Sequence, residues 1–420
     1  MVKSGGNVRK GGGGTLRVAV VAPQPDKYSE TFIRNHVERL PGDVEFLYGG
    51  FVPTASATGH PPTYRSVRVV SRALATVTGR SVQGIGRFLV NRAPGCSDVE
   101  GVGRYLRDQE FDVVLAEYGP TGVSMVPSCR QAGVPMVVHF HGYDAFRDDV
   151  MERWGNRYPE MFEYASAAVA VSRSMADQLV RLGSPTEKVR VVPYGIDLDR
   201  FSPGEASGGS NQVLSVGRFV DKKAPHLTVL AFRRLLKTVP SAELHLVGEG
   251  PLQGACRTLV RALDIEDRVS FHGVLPHRAV AERMERARCY VQHSVIAADG
   301  DREGTPLSVL EAAASGLPVV ATRHEGIVDV IEDGISGRLV EEGDIEGMAD
   351  ALADVLGDPD RARRLGRSAR RVVRERYDRS DAIGRLHEIL RAAARGDRDS
   401  AGDLYPPDEV EGESPESVST

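Results

Sequence analysis

The chain is poor in cysteine and nearly without tryptophan, with four of the first and one of the second in 420 residues. Cys96, Cys129, Cys256 and Cys289 show no C-x-x-C or His-paired spacing, so disulfide frameworks and zinc knuckles give way to buried free thiols in a reducing compartment. No apolar run approaches the roughly 18 residues that cross a bilayer. The Gly-rich start, Met1 to Gly14, carries Lys3, Arg9 and Lys10 but no apolar stretch of the signal-peptide kind, and it reads as a flexible leader. These absences point to the cytoplasm. No repeat at solenoid periods is present. Acidic residues are missing altogether between positions 46 and 97, where Arg65, Arg68, Arg72, Arg80, Arg87 and Arg92 lie among Val69, Val70, Leu74, Phe88 and Leu89.

What is there is an ordinary hydrophobic content of 41% arranged in short β-branched runs separated by helical patterns. The runs are Leu16–Val21, Val113–Glu117, Met136–His139, Ala167–Val171, Val189–Val192, Gln212–Val216, Glu243–Val247, Val269–His272, Tyr290–His293 and Pro318–Ala321. Strands alternating with helices predict an α/β protein with parallel sheets covered on both faces. Val192 to Pro203, followed by the Gly/Ser-rich stretch 204–210, reads as a boundary. The expected organisation is a leader over 1–14, a first domain over 15–198, a second over 199–376, an amphipathic helix over 377–395 and a tail over 396–420. That helix places Ile383, Leu386, Ile389 and Leu390 on one face. The tail holds eight acids against Arg398, more than the whole net charge of −5, and reads as disordered.

Three clusters carry chemistry. Glu303 and Glu311 stand eight positions apart around Gly304-Thr305-Pro306-Leu307, a loop entering a helix. Pro306 suits the first helical position, Leu307, Leu310, Ala314 and Leu317 follow helical spacing, and Gly316 and Pro318 stop the helix. Free backbone N–H groups near Thr305 and Leu307, at the positive end of the helix dipole, suit phosphate, and flanking carboxylates suit sugar or ribose hydroxyls. In the second cluster, Ser215-Val216-Gly217-Arg218 closes a strand, and Lys223 follows five residues after Arg218. Paired cations of this kind stabilise a departing diphosphate, and Lys222 is the runner-up for the same role. The third is His139-Phe140-His141-Gly142-Tyr143-Asp144, where His139 and His141 share a strand face. A two-His zinc site competes there, but no third ligand of sensible spacing follows, and His139 reads as a hydrogen-bonded core residue.

Together these segments resemble the retaining glycosyltransferases of family 4. Glu303 to Glu311 matches their E-x7-E motif, Gly217-Arg218 to Lys223 their G-R-x4-K motif with Ala224 for the usual Gly, and His141 to Asp144 their H-G-x-D motif. Val192-Pro193-Tyr194-Gly195-Ile196-Asp197 is similar to their interdomain hinge, with Tyr194 for the usual Asn, a change expected to affect local turn chemistry more than catalysis. Ser29-Glu30-Thr31-Phe32, Ala298 to Gly304 and His324-Glu325-Gly326-Ile327 look like a subgroup that includes the colanic-acid and other exopolysaccharide glycosyltransferases. The likeness runs from residue 15 to about 390 and thins in the first domain. It implies the GT-B fold: two facing Rossmann-like domains with parallel sheets, an interdomain cleft, and a C-terminal helix crossing back to the N-domain.

By this resemblance Glu303 contacts the donor sugar, His141 lies near it, and Arg218 and Lys223 grip the diphosphate. Glu311 binds the ribose, while Gly217, Gly250, Val274, Gly304, Thr305, Pro306 and Leu307 border the nucleotide. Asp144, Ser29 and Glu30 belong to the acceptor side, Asp144 alternatively orienting His141. The substrate is a UDP- or GDP-hexose, no cofactor is needed, and no residue offers itself as a covalent nucleophile. Asp299-Gly300-Asp301 imitates a metal-binding D-x-D, yet Arg, Lys and a helix dipole already neutralise phosphate in this fold, so no metal is expected. Gly248 to Gly254 has the wrong Gly spacing for a dinucleotide fingerprint, and Pro251 interrupts the turn. The acceptor is a glycan or lipid-linked glycan, which would bring the protein to the inner face of the plasma membrane. The basic segment 65–92 suits docking on anionic lipid or is a solvated arginine-bearing helix, and both readings stay open. No nucleic-acid-binding motif is recognised. The rival functions are a synthase or epimerase on a soluble substrate, and a catalytically silent sugar-nucleotide-binding subunit.

Overall fold

The structure is a computed structural model, and it describes residues 15–25, 31–58, 96–201, 203 and 211–397. Ser29, Glu30, the leader, the basic segment 65–92 and all but the first residues of the acidic tail lie outside the described residues.

The β-branched runs form two sheets. The first holds β1 (Arg17–Val21), β2 (Asp43–Tyr48), β3 (Ala55–Ser56), β4 (Val113–Glu117), β5 (Met136–His139), β6 (Ala167–Ala170) and β7 (Val189–Val191). Its order is β3-β2-β1-β4-β5-β6-β7, parallel except for the short β2–β3 pair. The second holds β8 (Gln212–Val216), β9 (Glu243–Val247), β10 (Val269–Phe271), β11 (Cys289–Gln292), β12 (Val319–Thr322) and β13 (Gly337–Val340). Its order is β10-β9-β8-β11-β12-β13, parallel throughout. Strands β4, β5, β6, β11 and β12 are buried along their whole length, as sheets covered on both faces require. These are two Rossmann-like sheets, and in each the order reverses beside the first strand, between β1 and β4 and between β8 and β11. Loops leaving the carboxyl ends of such strands form the binding crevice of this architecture.

β2, β3 and β13 are additional to the strands expected from sequence. The E-x7-E helix also differs in its ends: it runs Leu307–Ala314, with Pro306 as an extended cap rather than the first helical residue. Leu317 lies beyond it, after Gly316 turns left-handed at φ 72°.

The chain crosses between the sheets twice, and the crossings touch. Ile196 N–H donates to Tyr377 O at 3.0 Å and Arg379 N–H to Ile196 O at 3.2 Å. Gly195 is needed there, since a Cβ would stand 2.4 Å from the Arg379 Cα. Helix Arg379–Arg395 then starts on the Asp378 side-chain cap and lays Ile383, Leu386, Ile389 and Leu390 on Val18, Val20, Val113 and Leu115 of the first sheet. The apolar face read from sequence is therefore the one that returns to the N-domain.

Candidate active site

On the second sheet, the loop after β8 carries the basic pair. It is held against the loop after β9 by backbone bonds, Gly217 N–H to Val247 O and Phe219 N–H to Glu249 O, both 2.9 Å. Gly248 and Gly250 permit this approach: a Cβ would come within 2.0 Å of Gly217 O and 2.5 Å of Phe219 O respectively. Ala224, where the resemblance has Gly, takes the left-handed conformation at φ 36°. Arg218 is exposed, while the two lysines part company. Lys222 Nζ donates to Asp301 Oδ1 at 3.0 Å and to Arg302 O at 2.8 Å. Lys223 Nζ pairs with Glu303 Oε2 at 3.2 Å. Lys222 is thus occupied with the loop, and it takes up Asp301 of the D-x-D imitation, whose backbone also donates to Asp299 Oδ1 at 3.2 Å.

Glu303 is buried, and its Oε1 has no hydrogen-bond partner. Burial pushes its carboxyl up, but Lys223 and Lys222 outweigh that and hold it down at about 2. It is an anion with one oxygen uncommitted. Burial lowers Lys223 below the usual lysine range, with Glu303 opposing. Glu311 lies in the second turn of its helix with the His277 Nδ1 at 3.8 Å, and burial pushes it up to about 8 despite Arg200 and Lys223. Thr305 is buried and donates to Val171 O of the opposite domain at 2.7 Å. Val274 is exposed on the loop after β10.

On the first sheet, Asp144 is fully buried and accepts the backbone N–H groups of His141 at 2.9 Å, Gly142 at 3.0 Å and Gly119 at 3.0 Å. Burial pushes its carboxyl up while those N–H groups pull the other way. Asp144 thus anchors the loop that carries His141, with its side chain fully enclosed. The anchored loop meets the E-x7-E loop directly: a Cβ on Gly304 would lie 3.3 Å from His141 O, and one on Gly142 3.3 Å from Arg302 O. His141 and Glu303 therefore come from segments in contact across the cleft.

His141 itself is held by three residues that sequence reasoning did not place beside it. Its Nε2 lies 2.7 Å from Glu117 Oε2, its Nδ1 lies 2.8 Å from Tyr194 Oη, and its ring stacks on Phe32 at 4.2 Å. Glu117 is fully buried, and its Oε1 lies 2.6 Å from His36 Nδ1. Burial alone would raise this carboxyl, but His36 and His141 hold it far below the carboxylate range. Tyr194 thus reaches beyond its own turn to His141.

His139 needs a correction too. It is buried as expected, yet neither ring nitrogen has a hydrogen-bond partner, and burial pushes it toward the neutral form. With His36 and Glu117 it makes a group whose ligand atoms lie within 4.8 Å of one another. This group leaves out His141, and its other two members precede His139, in β4 and helix Thr31–Arg39, where forward spacing could not reveal them. The 2.6 Å His36–Glu117 contact is nevertheless a direct hydrogen bond, shorter than the ~3.3 Å edge set by two ligands at about 2.0 Å from one tetrahedral zinc.

Between the domains lies a cavity of about 240 Å³, reached by Phe32, His36, Tyr194, Arg200, Leu307 and Glu311. No helix among the described residues is long and apolar enough to cross a membrane.

Two facing Rossmann-like domains, with a basic loop and a carboxylate pair at the crevice of the second, define the GT-B class of glycosyltransferases. The description "Glycosyl transferases group 1" matches residues 198–372, and "Glycosyltransferase Family 4" matches residues 57–200. WcaL of Escherichia coli K12, whose name assigns it to colanic acid biosynthesis, is 32% identical over 287 residues, covering 67% of this chain and 70% of that one. The amylovoran biosynthesis glycosyltransferase AmsK of Erwinia amylovora is 31% identical, with the same shares covered. Anabaena HepE, solved with UDP and glucose, has a like fold at TM-score 0.67 and 16% identity, covering 90% of this chain and all of that one. The chain belongs to the group 1 glycosyltransferases of family 4, and it is a glycosyltransferase.

Proposed function

We propose that the protein moves a hexose from a UDP- or GDP-hexose to a glycan or lipid-linked glycan acceptor in exopolysaccharide assembly, with retention at the anomeric carbon and without a metal on the diphosphate. The observation that carries the reading is Glu303, ionised, with Oε2 on Lys223 and Oε1 uncommitted. In this reading Oε1 accepts a hydroxyl of the donor hexose, and Lys223 and Arg218 face the leaving diphosphate. The bond from the anomeric carbon to the diphosphate oxygen breaks as the acceptor hydroxyl attacks from the same face. The hydroxyl proton passes to the departing diphosphate, whose growing charge the two cations stabilise. Glu311 takes the ribose hydroxyls at the cavity between the domains. Domain closure would exclude water from the reacting pair. The acceptor class rests on the names of WcaL and AmsK.

The test is nucleoside diphosphate release from UDP-, GDP- and ADP-sugars in EDTA, for the wild type, Glu303→Ala and Lys223→Ala. Release from one donor, lost in both variants, supports the reading, and the anomeric configuration of the product by NMR checks retention. Tight donor binding with no turnover, even with lipid-linked acceptor, would favour the silent binding subunit. Turnover abolished by EDTA would overturn the metal-independent site. Contact of segment 65–92 with anionic lipid belongs to the same proposal, and co-sedimentation with anionic and neutral vesicles tests it.

A further inference from the structure

Glu303 sits in the irregular stretch between β11 and the helix Leu307–Ala314, so something other than secondary structure must fix its direction. Its backbone N–H donates to His324 Nε2 at 3.2 Å. A backbone N–H can only donate, so that nitrogen must carry its lone pair. The other ring nitrogen, Nδ1, lies 2.5 Å from Glu342 Oε1. A neutral imidazole has one proton, and here it must stand on Nδ1, donated to the carboxylate. The two partners leave His324 a single tautomer.

Glu342 does more than hold the ring. Its Oε2 accepts the N–H of Ile296 at 2.9 Å, near the start of the same irregular stretch. One carboxylate therefore ties that stretch at Ile296 directly and at Glu303 through His324. The next residue, Gly343, donates its N–H to His293 Nε2 at 2.9 Å, which anchors Glu342 just past β13. The turn after His324 adds a backbone clamp: Gly326 N–H donates to Gly304 O at 3.0 Å, and a Cβ at 326 would stand 2.0 Å from that oxygen. Arg302, between the ties, pairs with Glu325 at 3.0 Å. His324 is fully enclosed, so its effect on chemistry must pass through Glu303.

We propose that Glu342 and His324 are positioning residues: Glu342 holds His324 as the Nδ1–H tautomer, and the free Nε2 fixes the Glu303 backbone so that its carboxylate meets Lys223 and the donor hexose. The proposal rests on the reading of Glu303 given under Proposed function. Around metal sites, partners that orient a ligating group are worth about 10- to 100-fold in activity, and a loss of the same order is expected here.

Three variants and one spectrum test it. His324→Leu removes the acceptor and strands the buried Glu303 N–H, whereas His324→Gln keeps an acceptor near the Nε2 position. Glu342→Gln keeps the volume but cannot accept from both His324 and Ile296. With the full-length protein and the donor that turns over, kcat should fall ~10- to 100-fold in His324→Leu and Glu342→Gln with donor KM within about 2-fold. His324→Gln should recover most of that loss. Two-bond 1H–15N spectra of the wild type should show the His324 ring as the Nδ1–H tautomer, shifted in Glu342→Gln. Equal losses in the Leu and Gln variants, a kcat loss that merely tracks melting temperature, or a wild-type ring protonated at Nε2 would overturn the pair. The spectrum reads the pair without turnover. Full activity in Glu303→Ala alongside the expected tautomer would sink the catalytic reading and leave the pair as a loop fastener only.

Discussion

Tyr194 Oη and His141 Nδ1 share a 2.8 Å hydrogen bond, which joins the segment leading out of the first domain to the loop that faces Glu303. The Tyr194 ring also stacks on Phe32 at 4.9 Å, and Phe32 in turn on His141, so the contact is both polar and aromatic. The two contributions can be separated by substitution. Tyr194→Phe keeps the stack and should cost about 1 kcal/mol in urea unfolding, the usual worth of one hydrogen bond. Tyr194→Asn restores the residue common at this hinge but loses the ring as well, and should cost about 2 kcal/mol or more. A value for Asn no larger than for Phe would mean the stack contributes nothing.

Glu117 should make the protein acid-sensitive. Its carboxyl is held far below its unfolded value of about 4.3, so the unfolded chain binds the extra proton. The stability this contributes is fully present above the unfolded value and is lost as pH falls toward the folded one. Glu117→Gln can satisfy only one of His36 and His141 by accepting, and it should lose about 3 kcal/mol at pH 7. Its unfolding free energy should also fall less steeply than the wild type's between pH 5 and 3. Parallel slopes would show that another carboxylate governs the acid limb.

Glu311 has the opposite sign. Pushed up to about 8 by burial, it is mostly protonated at neutral pH, and in the donor-free protein it costs stability as pH rises through the window below that value. Ribose hydroxyls bind the carboxylate form, so the apparent donor Kd is divided by the ionised fraction. Calorimetric donor affinity should therefore tighten by ~10-fold between pH 7 and 9 in the wild type. In Glu311→Gln it should be weak and flat. A pH-independent wild type would place the ribose elsewhere.

The grouping of the basic loop with the carboxylate pair was legible in the sequence because it is local: Arg218, Lys223, Glu303 and Glu311 lie on two short stretches that leave adjacent strands of one sheet. The surroundings of His141 were not, because its partners come from three distant places. Glu117 ends a run, V-V-L-A-E, that reads only as a buried strand, and its partner His36 stands 81 residues away. Tyr194 was visible as a departure but not as a neighbour of His141. Among the strands, β2 escaped because Glu45 is buried in it, satisfied by Thr58 and Tyr105 from outside the strand. β13 opens on Gly337-Arg338, a poor strand signal, and Gly337 is there because a Cβ would meet Val319 O of the neighbouring strand at 2.5 Å.

The two chain crossings at Ile196 and Asp378 have a mechanical consequence. They run parallel, are bridged to each other, and are braced by Arg379 on Asp197 at 3.1 Å. A pair of tied ribbons bends easily across its width and resists torsion, because twisting would have to stretch one ribbon against the other. The two halves of the molecule are thereby given one soft axis, like a book opening on its spine. Were the cleft to open about that axis, it would return Glu303 to His141 along the same path.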